Sequence, residues 1–236
     1  MDETMQIPTT HGPHTAAVEP TRPNLLQRLL RDSAYSLTAL PIGILTFAIV
    51  VTGLSAGAGL VIVWVGLPVL VGTVLVARAF AQLERLRLRS LQDRDAPPPA
   101  YLKAEADASG LRRLLTPLRD AQSWLDAFWG IVGFVTGLIA FLVTVIWWAA
   151  AAGGLSYWFW ERWVPEGDDN TTLAELIGFG EGREPEIWLN LVLGAIALIT
   201  LPWIVRAVAA LHGGTASAML DGRAVLRERA AQGATP

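Results

Sequence analysis

The chain contains no cysteine, which excludes disulfides, thiol nucleophiles and cysteine-ligated metals or clusters. Charge is scarce as well. Only 17% of residues are Asp, Glu, Lys or Arg, against 53% hydrophobic, and the mean hydropathy is +0.43. A soluble domain carries about 25% charged residues. Charge is missing altogether from Ser33 to Ala77, from Ala127 to Trp160 and from Ile187 to Val205. Also missing are a Walker loop, an HExxH pair, a GxSxG elbow and any cytoplasmic segment large enough to hold an active site, so no enzyme activity is expected.

What is there is apolar sequence of membrane length. About 20 apolar helical residues cross a hydrocarbon core. The first uncharged run therefore holds two spans and the others one each. The expectation is an all-α integral membrane protein with spans near 35–54, 58–80, 127–149 and 187–208. Residues 1–23 read as a disordered polar arm with no apolar signal segment. Residues 24–220 form the membrane domain, 150–186 its outer loop and 221–236 a tail.

Sidedness follows from the cations. Lys and Arg concentrate before the first span, between Arg78 and Arg119, and from Arg206 onward, whereas 150–186 holds only Arg162 and Arg183 beside many acids. The positive-inside rule then places both termini in the cytoplasm of a plasma-membrane protein. Leu25, Leu26, Leu29 and Leu30, and again Leu111, Leu114, Leu115 and Leu118, make stripes suited to helices lying in the inner interface. "LSAGAG" (Leu54 to Gly59) is the expected outer turn.

The halves of the chain resemble each other. Shifted by 94 positions, Asp32, Tyr35, Gly43 and Phe47 meet Asp126, Trp129, Gly137 and Phe141, and "GLPVLV" at Gly66 matches "TLPWIV" at Thr200. Two repeated helical hairpins would give a parallel repeat with its pseudo-twofold axis along the membrane normal. Gly43 and Gly137 are the candidate close-packing positions near that axis.

Functional candidates are few. Trp147, Trp148, Tyr157, Trp158, Trp160, Trp163 and Trp188 gather toward the outer ends of the third and fourth spans. They read as an aromatic belt or as the floor of an outer pocket for a lipid headgroup, a cationic peptide or a drug. "EGDDNTT" lacks the donor pattern of a calcium loop, and His11 and His14 lie alone on the arm. No metal, cofactor or nucleic acid is implied. No Asp, Glu, Lys or His is expected at membrane depth, which counts against ion-coupled transport. His212 reads as interfacial, and Asp32 and Asp126 as helix caps. Beyond a Gly213-Gly214 hinge, Met219, Leu220, Arg223, Leu226 and Arg227 are the candidate output surface, on a tail helix dispensable for insertion.

"DSAYSLTALPIGILTF", "VGLPVLVGTVLVARAFAQLERLRLRSL", "SWLDAFWGIVGFVTGLIAFLVTVIWW" and "LPWIVRAVAAL" together resemble the actinobacterial "putative sensor" domain, a four-helix membrane module that typically precedes a histidine kinase core. The resemblance covers about Leu30 to Leu220. It implies a signal-input role in a two-component system. A kinase of this type would continue past "AMLDGRAVLRERAA" into a histidine-bearing helix and an ATP-binding domain, and this sequence has no histidine after His212. The resemblance thus implies a sensor module that works through a separate signalling protein. The other reading is an accessory subunit of a transporter or other membrane complex. Either role is compatible with a homodimer in the lipid bilayer.

Overall fold

A computed structural model describes residues 24–92, 98–99, 101–105, 109–163, 173–180 and 182–224. These contain helices and no strand. Four helices are long and apolar enough to cross a membrane: α1 (Leu25–Gly59), α2 (Gly66–Gln92), α4 (Ala121–Leu155) and α7 (Arg183–Leu220). Three short helices join them: α3 (Gly110–Arg119), α5 (Tyr157–Trp160) and α6 (Leu173–Leu176). The protein is an all-α, multi-pass membrane protein.

Several threonines along the long helices are satisfied locally. Thr38, Thr46, Thr73, Thr136 and Thr200 each donate to the carbonyl four residues back, so their hydroxyls expose nothing unpaired to lipid. Pro41 and Pro202 lie inside α1 and α7, where each removes one backbone donor.

The boundaries differ from expectation in instructive ways. The amphipathic leucines at Leu25–Leu30 are the first turns of α1 itself, opened by the Asn24 N–H donating to Gln27 Oε1 at 3.0 Å. Asp32 therefore lies within a helix and caps nothing. "LSAGAG" is helical throughout, and the turn falls at Leu60–Val65, a 3-10 turn with Trp64 at φ 63°. Gly66 closes it, because a Cβ there would lie 2.2 Å from the Gly57 carbonyl oxygen. α7 continues unbroken through Gly213 and Gly214. The expected hinge is a packing site, where a Cβ on Gly213 would meet Leu88 at 3.2 Å.

Packing overturns the parallel repeat. A Cβ on Gly43 would meet Phe134 at 3.1 Å, one on Gly137 would meet Ala39 at 3.2 Å, and one on Gly130 would meet Val50 at 3.0 Å. Rising positions on α1 thus face falling positions on α4, and the two helices run antiparallel. The Gly43 and Gly137 contacts are reciprocal, as a twofold axis across the helices requires, not one along them. The second half of the repeat has no counterpart: Pro68 stands in the first turn of α2, whereas Pro202 lies mid-helix in α7.

Hairpin α1–α2 closes where Gly53 meets Thr73, and hairpin α4–α7 where Gly154 and Gly194 bring their backbones into contact. With α1 and α4 antiparallel, the two hairpin tips point to opposite ends of the bundle. Leu29, at the start of α1, packs with Trp147 and Trp148 near the end of α4. The start of α1 and the tryptophan-rich stretch, expected on opposite faces, share one end.

Candidate functional site

The most polar region of the bundle lies where α2, the start of α4 and the end of α7 converge with the connector after α2. Its centre is Arg85, whose side chain has no exposed surface. Nη2 donates to Asp126 Oδ1 and to the Leu220 carbonyl, each at 3.0 Å. Nη1 donates to the Tyr101 hydroxyl at 3.1 Å and Nε to Asp221 Oδ1 at 3.3 Å. A buried ion costs several kcal/mol unless its hydrogen bonds are met. Here one guanidinium fork meets two carboxylates, a phenol and a carbonyl from three different segments.

The partners are cross-braced. Gln122 Nε2 donates to Asp126 Oδ1 at 3.0 Å and to the Leu220 carbonyl at 3.2 Å, and the Tyr101 hydroxyl donates to Asp126 Oδ2 at 2.6 Å. Arg78, two turns before Arg85 on α2, donates to Asp120 at 2.9 Å and to Ser123 at 2.7 Å, and stacks over the Tyr101 ring at 4.3 Å. The connector residue Tyr101 is therefore held between two arginines. Burial, then its bond to Asp126, pushes the Tyr101 phenol up to about 12. Burial also raises the Asp221 carboxyl, while Arg85 and Arg89 pull it down.

A second polar cluster adjoins it toward α1. Glu84 accepts from the Tyr35 hydroxyl at 2.6 Å and pairs with Arg87, which donates to the Tyr35 carbonyl and to Thr38 Oγ1 at 2.8 Å each. His212 lies between the Tyr35 and Trp129 rings, with Nδ1 2.8 Å from Thr136 Oγ1 and Nε2 3.6 Å from Glu84. A cavity of about 20 Å³ touches Gly43, Glu84, Arg87, Trp129 and His212, room for a single water.

These clusters correct two expectations. Asp126 is not a cap: α4 is capped by Asp120, which accepts from the Gln122 N–H at 3.3 Å, and Asp126 sits in the helix, facing Arg85. His212 is buried inside the bundle, not interfacial. Glu84 on α2 and Asp126 on α4, just outside the expected spans 58–80 and 127–149, each have a cationic partner.

The aromatic candidates split in two. Trp147 and Trp148 are packed between helices, with their indole N–H groups on Thr200 at 3.0 Å and Ser33 at 3.1 Å. Tyr157, Trp158, Trp160 and Trp163 form the tip beyond α4, where Tyr157 meets Trp160 edge-on at 4.9 Å. Burial and Glu186 push the Tyr157 phenol up to about 12. Trp158 and Trp188, both well exposed, flank a shallow groove of about 120 Å³ with Gly154, Ile187 and Leu191. Of the tail candidates, Leu220 is buried and Met219 packs on the core around Tyr35 and Trp129. Arg223 is exposed, and Leu226 and Arg227 lie outside the described residues.

The residues at the centre of the network (Arg78, Arg85, Tyr101 and Gln122) were not among the candidates. "ERLRLRS" reads as a basic face toward the cytoplasm, because a sequence shows charges but not their distant partners. The available signal was the buried stripe Ala77, Ala81, Arg85 and Leu88 on one side of α2, which places an arginine among core positions.

No group of three or more acids or histidines among the described residues could hold a metal ion. Comparison with curated proteins and with solved structures gives no match. The family model described as "Putative sensor" matches residues 35–220. That stretch contains all four long helices in whole or in large part, both polar clusters apart from Asp221, and the buried end of α7, and so the chain belongs to this sensor family.

Proposed function

We propose that this sensor-like membrane protein is a non-catalytic signal-input module of a two-component system. It passes a change at the envelope to a separate kinase or regulator. The observation that carries the reading is Arg85, which ties the connector and the start of α4 to α2 through one hydrogen bond each and the end of α7 through two. A signal needs two arrangements that differ where a partner can read them. A shift of either hairpin would have to break or re-pair this fork, moving the end of α7 and the connector together. The concentration of Lys and Arg between Arg78 and Arg119 supports a cytoplasmic position for the connector and for the end of α7 that meets it.

The test is a photo-crosslinking residue placed at exposed Ala218, on α7 beside the network, in the chain expressed in its native membrane. Crosslinking to a histidine kinase or response regulator is expected. Asp221→Asn, which removes one charge from the fork, should change the yield. Exclusive crosslinking to permease or respiratory subunits would overturn the proposal in favour of an accessory role.

A further inference from the structure

The start of α4 and the end of α7 leave an open groove of about 390 Å³, lined by Ala121, Trp124, Leu125, Phe128 and Arg223. Trp124 and Phe128 are 44% and 55% exposed. The Trp124 indole N–H is already donated to the Leu118 carbonyl at 2.8 Å, so the ring offers only an apolar face. Arg223 has no ion pair among the described residues. The nearby acids are held elsewhere, Asp221 by Arg85 and Asp120 by Arg78.

The groove therefore presents one exposed cation at the rim of an apolar floor, and its lining side chains offer nothing else for hydrogen bonding. A small anion would leave that floor uncovered. A peptide would bring backbone donors and acceptors that find no partners there. A molecule with an anionic head and a long hydrocarbon body satisfies both parts, and in a membrane protein that molecule is the surrounding medium. We infer that the groove holds one anionic phospholipid, its phosphate on Arg223 and an acyl chain across Trp124, Leu125 and Phe128. The inference goes beyond the proposed signalling role and stands without it, because binding is read directly.

The experiment is native mass spectrometry of the full chain in detergent, with phosphatidylglycerol or phosphatidylcholine of identical acyl chains. One arginine near a headgroup should favour phosphatidylglycerol about fivefold. Arg223→Gln should bring the two lipids to parity, and Phe128→Ser should lower retention of both. Arg112→Gln, on exposed α3, should leave the preference intact, and inorganic phosphate should not displace bound phosphatidylglycerol. The site is overturned if Arg223→Gln keeps the preference, or if Arg112→Gln abolishes it equally, which would mean diffuse surface charge. Displacement by phosphate would make it a plain anion site and equally overturn it. If Arg223→Gln lowers the thermal midpoint in lipid-free detergent, Arg223→Lys decides: it should retain phosphatidylglycerol, and its failure to do so sinks the inference.

Discussion

Arg85 and Asp126 meet at 3.0 Å across α2 and α4, and neither side chain has any surface open to solvent. Removing one member of such a pair leaves an uncompensated buried charge, at a cost of about 3–5 kcal/mol. Asp126→Ala should therefore lower the thermal midpoint in detergent by on the order of 10 °C. The double variant Arg85→Met, Asp126→Leu should recover much of that loss, because the charge that needed a partner is gone. Full recovery is not expected, since Asp221 then keeps only Arg89 nearby. A double variant no better than the single one would show that the pair is not the source of the cost.

The four long helices were legible because uncharged runs of membrane length have few other solutions. The antiparallel register of α1 and α4 was not. Gly43 and Gly137 mark close approach equally well in either direction, and only the identity of the opposing residues, Phe134 and Ala39, tells the two apart. The site failed for a related reason. Arg85 is separated from Asp126 by 41 positions and from Asp221 by 136, and each looked complete alone, as a basic run, a cap and a tail residue.

Glycine substitutions should separate two grades of packing. Gly43→Ala and Gly137→Ala bring a Cβ to 3.1 and 3.2 Å from backbone atoms. A few tenths of an ångström of yielding, offset by alanine's better helix propensity of about 1 kcal/mol, should leave stability nearly unchanged. Gly154→Ala and Gly194→Ala bring it to 2.7 and 2.6 Å from backbone of the facing helix, and should cost about 1–3 kcal/mol. Thermal unfolding of the four variants checks the order. Equal midpoints would refute the close contact of α4 with α7.

The end of α7 is part of the core, contrary to the expectation of a dispensable tail helix. Ala216 and Leu220 are buried, and the Leu220 carbonyl accepts from both Arg85 and Gln122. A chain ending at residue 214 should aggregate or melt well below the parent, while one ending at residue 224 should keep the parent's midpoint. Size-exclusion profiles and melting curves of the two truncations read the difference directly. A stable 1–214 chain would remove α7's end from the fold's support.

Alkali should act through Tyr101. Burial and the bond to Asp126 push its phenol up to about 12 from the ordinary 10.0, so the folded state holds a proton that the unfolded state releases. The contribution to stability is complete below pH 10 and is lost as pH rises through about 12. Tyr101→Phe should abolish one late step in the phenolate absorbance titration and flatten the fall of stability over that interval. An unchanged titration would mean that Tyr101 is not held between Arg78 and Asp126.

The antiparallel register makes its sharpest prediction at the hairpin tips. Val50 faces Gly130, and Ser33 accepts from Trp148, so α1 and α4 overlap along nearly their whole length in opposite senses. Each has 35 residues, which at 1.5 Å per residue is about 50 Å. The turn at Ile62 and the aromatic tip at Phe159 then lie at opposite ends. The distribution of Lys and Arg, by contrast, assigns both tips to one face of the membrane. Since the chain has no cysteine, spin labels can be placed cleanly on cysteines introduced at exposed Ile62 and Phe159. Pulsed dipolar spectroscopy should give a separation of about 50 Å or more. A distribution centred below about 35 Å, little more than one bilayer core, would put the tips side by side and overturn the register, leaving α1 and α4 to pack in parallel.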